Sequence, residues 1–248
     1  AYTIPYRCFY SENIENLMLA GRDISCSKLA FGSTRVMGTC AVGGQAAGTA
    51  AALALKYGIT PRALGETRIR ELQQALLKED CYIPGFKNED PADLARGATA
   101  AASSEAPGSP AANVLNGIAR DVDGVSNAWE SRQLGEGGAW LTLTLPSPQS
   151  IRQVRLTFDP NLTREIMPSI TSTVRDRQVK GLPGELVRDY DLALILNGRT
   201  VFARKILDNA QRLNVIDLDE PVQADSLRLT VRATHGHPAA RVFEIRLY

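Results

Sequence analysis

A chain of 248 residues with 28 basic and 27 acidic side chains carries a net charge of +1, so neither nucleic acid nor an anionic membrane is expected as a partner. The longest apolar run, residues 41–55, is too short to cross a bilayer and contains Gln45 and Thr49, so no transmembrane segment is expected. Composition favours two domains over one. Ala and Gly crowd the first third at helix-like spacing, whereas the remainder alternates Leu, Val and Ile with Arg, Thr and Asp in short runs.

In chain order, residues 1–10 read as extended, with Pro5 opposing a helix, and residues 16–20 as a short strand closing on Gly21. The stretch GSTRVMGTCAVGGQAAGTAAALAL, residues 32–55, runs from a Gly-rich turn into a helix of small residues. Gly44 and Gly48, with Ala47, Ala51 and Ala54, leave one face nearly bare, so that a sheet, a helix or a flat ligand can approach the backbone. Free amides are expected near residues 41–45, where they suit a carbonyl or anionic group; the plain alternative is a packing helix. Lys56, Tyr57 and Gly58 end this helix, and residues 66–78 form an amphipathic one with Ile69, Leu72, Leu76 and Leu77 on one side. Cys8, Cys26, Cys40 and Cys81 lack metal-ligand or CxxC spacing and read as free thiols, Cys40 being the one whose pKa a helix start would lower.

Pro84, Gly85 and Pro91 break the pattern and place a domain boundary at residues 87–95. Beyond it strands are expected at 140–145, 151–158, 190–196, 200–205, 213–218, 227–231 and 242–248, several of them alternating, which points to an antiparallel sandwich. Asn197-Gly198 signals a type I′ hairpin. Residues 159–185 are too long for a turn; Leu162, Ile166, Met167 and Ile170 among arginines suit a contact rather than catalysis. His235 and His237 flank Gly236 and read as a surface loop, with metal chelation as the alternative. No GxSxG, HExxH or Cys–His pairing supports a hydrolase.

Together with the preceding YTIPYRCFYSENIENLMLAGRDIS, residues 32–55 resemble the C-terminal end of bacterial FAD-dependent oxidoreductases of the two-dinucleotide-binding-domain type. The resemblance implies FAD as cofactor, with contacts at Gly21, Arg22, Thr39, Gly43, Gly44 and Gln45. It also implies a small-molecule substrate, whose carboxylate or carbonyl Arg35 is placed to meet, a surface or ion-pair role being the alternative for Arg35. The family opens with a strand, a GxGxxG turn and a helix; here the nearest match, GEGGAW at 135–140, lacks the third glycine and precedes a strand. The chain is therefore expected to be the C-terminal portion of a longer enzyme, its partner being that protein's N-terminal flavin-binding portion, and to be inactive and unable to retain FAD alone. The compartment stays open, periplasmic or secreted placement included.

The segments LARGATAAASSE, NVLNGIARDVDGVSNAWES and WLTLTLPSPQSIRQVRLTF resemble a galactose-binding-like, discoidin-type jelly roll. That resemblance implies two sheets with ligand loops at one end, in a family that binds glycans or membranes or braces a neighbour. Trp129, Trp140 and Tyr190 lie in or beside segments expected to pack, so the sandwich reads as an accessory domain, the alternative being a carbohydrate-binding module of a cell-envelope or secreted protein. Calcium is expected where residues 113–117 and 121–124 approach the last strand, with Asn116, Asp121 or Asp123, and Glu244 as ligands. Glu244 is expected to turn away from a face taken by Phe243, Ile245 and Leu247. The fold class expected is α+β: a partial FAD-binding α/β segment, one strand plus two helices, over residues 1–86, then an antiparallel β-sandwich (jelly roll) over 95–248.

Overall fold

The structure, a computed structural model, describes residues 2–164 and 169–248 and divides into two units, Ala1–Glu89 and Asp90–Tyr248. The first is helical. Ser27 caps α1 (Lys28–Thr34) by accepting from the Ala30 amide at 3.3 Å, and α2 (Met37–Tyr57) ends where Gly58 turns left-handed at φ 61°. Thr60 accepts from the Ala63 amide at 3.2 Å and Pro61 occupies the first turn of α3 (Pro61–Thr67). Arg68 leaves the helical region at φ −137° before α4 (Ile69–Lys78). The single helix expected at 66–78 is thus two, because the capped Thr60–Pro61 start sets a short helix upstream of the amphipathic run.

Gly43, Ala47, Ala50 and Ala54 form the buried face of α2, which closes on two small clusters. One gathers Ala50, Leu64, Leu72, Leu76 and Cys81, the other Phe9, Ile24 and Ala47. The strand expected at 16–20 reduces to one bridge, Tyr10 to Met18. Ser11 accepts from the amides of Asn13 and Ile14 at 3.2 and 3.1 Å, and this local turn bends the chain too soon for a ladder. Within the segment expected to be extended, Tyr6–Phe9 forms a 3-10 turn.

The second unit carries β1 (Thr99–Ala102), β2 (Trp129–Gln133), β3 (Ala139–Phe158), β4 (Val187–Leu196), β5 (Arg199–Ile206), β6 (Leu213–Thr234) and β7 (Ala239–Leu247). All pairings are antiparallel, in the order β2-β7-β3-β6-β4-β5, with β1 on β3. The expected strands at 140–145 and 151–158 are one continuous β3, and those at 213–218 and 227–231 one continuous β6. Their register shifts between Thr144 and Gln149 and again between Ile151 and Gln153, where both strands bend.

The first half of β3 and second half of β6 pair with β1 and β4, while the opposite halves meet each other beside β7. The two half-sheets enclose one core, in which Leu141, Leu143, Leu227, Leu229, Leu192 and Leu194 face Val154, Leu156, Phe158, Ile216, Ile245 and Leu247. Unit 2 is an antiparallel sandwich of the jelly-roll kind. Asn197 and Gly198, at φ 51° and 74°, make the β4–β5 hairpin as the type I′ signal requires.

β7 departs from simple alternation. Thr157 pairs with Glu244 but Phe158 with Val242, so Phe243 is an extra residue in a bulge. Val242 and Ile245 enter the core, whereas the Phe243 ring lies 5.2 Å from the Arg212 guanidinium and 5.7 Å from that of Arg241. The expectation that Phe243, Ile245 and Leu247 share one face fails at Phe243 for that reason. In the long segment after β3, Ser172–Arg175 forms α5, Leu162 and Ile170 are exposed, and Ile166 and Met167 lie outside the described residues.

Candidate functional site

The start of α2 has no side-chain cap. Val36 stands at its N-cap and the Cys40 amide already bonds the Val36 carbonyl at 2.9 Å, so the free amides belong to Met37, Gly38 and Thr39. Those of residues 41–45, expected to be free, lie inside the helix because it begins four residues earlier. Gly43 and Gly44 point to different surroundings. A Cβ on Gly43 would stand 3.1 Å from the Phe9 ring, whereas one on Gly44 would meet nothing within 4 Å.

Ala41, Gln45, Gly48, Ala52 and Leu55 form an exposed stripe opposite the buried one. Gln45 donates its side-chain amide to the Glu79 carbonyl at 3.1 Å. Gly21 opens a 3-10 turn at φ 89°, Arg22 lies 5.4 Å over Phe31, and Arg35 caps the end of α1 with an exposed side chain. Cys40 donates to the Thr34 carbonyl at 3.4 Å.

Thr39 and Gly43 line a cavity of about 540 Å³, together with Tyr2, Tyr6, Phe9, Val42, Leu72, Gln73, Tyr82 and Phe86. That volume suits a small molecule. Its walls are mostly apolar and aromatic, and among the described residues the buried Gln73 Oε1 has no hydrogen-bond partner, an acceptor whose desolvation a donor group would offset. Tyr6 donates to the Pro61 carbonyl at 3.0 Å, and burial, with Tyr10 beside it, pushes the Tyr6 hydroxyl up to about 12. Gln73 escaped the sequence reading because it sits between Leu72 and Gln74 in an ordinary amphipathic helix.

In unit 2 the residues expected to hold calcium are engaged by other partners. Asn116 donates to Asn127 Oδ1 at 2.9 Å and accepts from the Ile118 amide at 2.8 Å. Asp121 faces Arg241 at 3.1 Å, while Glu244 is buried and accepts from Arg246 at 2.8 Å. Among the described residues no group of three or more His, Cys, Asp or Glu is placed to hold a metal ion. The calcium set therefore does not fit: the carboxylates of Asp121 and Glu244 are committed to guanidinium groups. His235 Nε2 lies 2.8 Å from the Asn209 carbonyl, and His237 Nδ1 accepts from the Ala239 amide at 3.2 Å, so both shape their loop.

Asp159, beside Arg241, is almost fully buried, and burial outweighs Arg241 in holding its carboxyl above the ordinary aspartate value. A raised folded-state value means that the folded protein binds the proton more readily, so this group's contribution to stability falls as pH rises through the window between the two values. Melting curves taken from about pH 4 upward are expected to show that fall in the parent and less of it in Asp159→Asn.

The two tryptophans differ. Trp129 is fully buried and donates its indole N–H to the Ser104 carbonyl at 3.0 Å. Trp140 lies on the outer face of the sheet, with the Arg228 guanidinium 4.4 Å over its ring.

Comparison with known proteins bears on both units. Residues 1–76 match the family model described as FAD dependent oxidoreductase. Residues 93–181 match a domain of unknown function (DUF7402), and no curated protein matches the chain. Among solved structures, the family 32 carbohydrate-binding module of Streptococcus pneumoniae EndoD is 21% identical, covering 63% of this chain and 99% of its own, with a TM-score of 0.48. The lectin domain of lectinolysin complexed with Lewis B antigen is 15% identical over 64% and 96%, with a TM-score of 0.48. The family 32 module of C. perfringens NanJ in complex with galactose is 16% identical over 62% and 95%, with a TM-score of 0.44.

The oxidoreductase-related stretch contains α1, α2, α3 and most of α4, hence all seven positions assigned to cofactor or substrate. Within it Thr39 and Gly43 meet at the cavity, Gly44 and Gln45 belong to other faces of α2, and Gly21, Arg22 and Arg35 lie outside the cavity wall.

Proposed function

We propose that the chain is the C-terminal part of an FAD-dependent oxidoreductase whose small-molecule substrate is oxidised or reduced at a flavin, with the sandwich as an accessory domain. The observation that carries this reading is the oxidoreductase match over residues 1–76. FAD, where bound, supplies the redox chemistry. The free amides of Met37, Gly38 and Thr39 offer donors to a carbonyl or anionic group, the bare surface at Gly44 admits a flat group against the backbone, and Arg35 offers a charge to a substrate carboxylate. The cavity at Gln73 suits an apolar group carrying one hydrogen-bond donor.

The test compares two adjacent glycines in the protein that carries its whole flavin-binding portion. Gly44→Val is expected to weaken flavin retention at least about tenfold, equivalent to about 1.4 kcal/mol, while the apoprotein melts as before. Gly43→Val should instead lower the melting temperature, since its side chain must displace the Phe9 ring. Stoichiometric flavin retained by Gly44→Val would remove that face from the cofactor site, and a parent protein without flavin absorbance would remove the oxidoreductase reading itself.

A second reading, glycan binding by unit 2, has one specific observation in its favour. Trp140 and Arg228 form a stacked aromatic and cationic pair on a sheet face that also carries Thr142, Thr144 and Thr230, chemistry suited to a sugar ring and its hydroxyls. On a glycan array, binding by the full chain that disappears in Trp140→Ala would favour it.

A further inference from the structure

Arg241, at the start of β7, is the convergence point of three carboxylates from three separate segments. Its Nε lies 3.1 Å from Oε2 of Glu130 on β2, directly across the strand pair. One terminal nitrogen lies 3.1 Å from Asp121 in the loop before β2 and donates to Ser126 at 3.3 Å. The other donates to Asp159, the residue after β3. The Arg241 side chain is 15% exposed and that of Asp159 2%. Asp159 also accepts from the Asn161 amide at 2.7 Å. Arg120 lines the same small polar recess, and Arg212 donates to the Phe158 carbonyl at 2.8 Å and to that of Ala119.

Carboxylates and a hydroxyl drawn from several loops are the donor types a hard cation takes, yet here a guanidinium stands among them, its two terminal nitrogens hydrogen-bonded to Asp121 and Asp159 and its Nε within ion-pair distance of Glu130. Arginine suits that place because it keeps its charge at every working pH and presents five N–H donors in a fixed plane. Close by, Asn116 and Asn127 join amide to amide, and Asn127 donates to the Arg120 carbonyl at 3.1 Å. We infer that Arg241 is a built-in cation that does in this sandwich what a bound metal ion would otherwise do. It fastens the loop before β2 and the segment after β3 to the β2–β7 edge, so that this end of the fold is set without calcium.

The experiment is a series of thermal melts on the full chain, with millimolar calcium or with a chelator. The parent is expected to melt at the same temperature in both. Arg241→Ala should lose on the order of 10 °C, as for the loss of one partner from a buried ion pair, and calcium should restore at least half of that by entering the vacated carboxylate cluster. Neutralising the acids should restore stability without calcium, so Arg241→Met combined with Asp121→Asn and Asp159→Asn should melt well above Arg241→Met alone. A parent stabilised by calcium would overturn the inference, as would Arg241→Ala melting like the parent. So would a loss that neither calcium nor neutralisation recovers, because the arginine would then act through packing alone. Should Arg241→Ala not fold, the neutralised variant decides, and its failure to fold would equally overturn the proposal.

Discussion

Trp129→Ala is expected to destabilise unit 2 by about 3–5 kcal/mol, the range for truncating a fully buried tryptophan. The side chain is wholly removed from solvent within the sandwich core, and its backbone pairs with Val242 on β7. Truncation opens a cavity that the surrounding core cannot close without shifting, and it leaves the Ser104 carbonyl without its indole donor. Trp129→Phe keeps most of the volume and loses the hydrogen bond, so a smaller loss, on the order of 1–2 kcal/mol, is expected. Urea unfolding of the two variants measures the difference. A Trp129→Ala protein within about 1 kcal/mol of the parent would place this residue outside the mechanisms that give large effects.

Gly138→Ala is expected to cost a comparable amount, on the order of 3–5 kcal/mol, from backbone strain and overpacking together. Gly138 sits at φ 76°, and an added Cβ would come within 2.3 Å of the Val231 carbonyl oxygen on β6. A flexible side chain can move aside; a backbone carbonyl within a sheet cannot. The matched control is Gly48→Ala on α2, where nothing lies within 4 Å and a gain of up to about 1 kcal/mol follows from helix propensity. Chemical denaturation of both variants should therefore give changes of opposite sign. The same geometry explains one glycine of GEGGAW at 135–140: Gly138 serves the approach of β3 to β6, its amide bonding the Gly135 carbonyl at 2.9 Å.

Legibility in the sequence followed the range of the forces involved. Alternation at Leu141, Leu143 and Leu145, and at Leu227, Leu229 and Val231, announced one buried and one wet face, and those residues line the core. Asn197-Gly198 announced its turn by local chemistry alone. β1 stayed hidden because Thr99–Ala102 is nearly all alanine, with no contrast for a period to show. The continuity of β3 through Pro146 and Pro148 was masked by two residues that ordinarily interrupt strands.

At the candidate sites the limits were of another kind. Sequence spacing named Gly43 and Gly44 together, but only packing shows that Phe9 closes one and leaves the other bare. Asp121, a charged loop position expected to hold a metal, instead faces an arginine. Its partner Arg241 lies 120 residues away, beyond what any local pattern encodes. The bulge that sets Phe243 between two arginines arises from pairing with β3, a tertiary event with no signature in VFEIRL.

Because β3 and β6 each run through both layers of the sandwich, the two layers share covalent backbone and cannot part like the halves of a clasp. Opening either one drags on the ladder of the other, so amide protons in both should exchange together, at the free energy of global unfolding. The pairing of β3 with β6 also joins residues as far apart as Ala139 and Val231, and such long closures are formed slowly. A nascent chain therefore exposes β3 for as long as β6 is still being made.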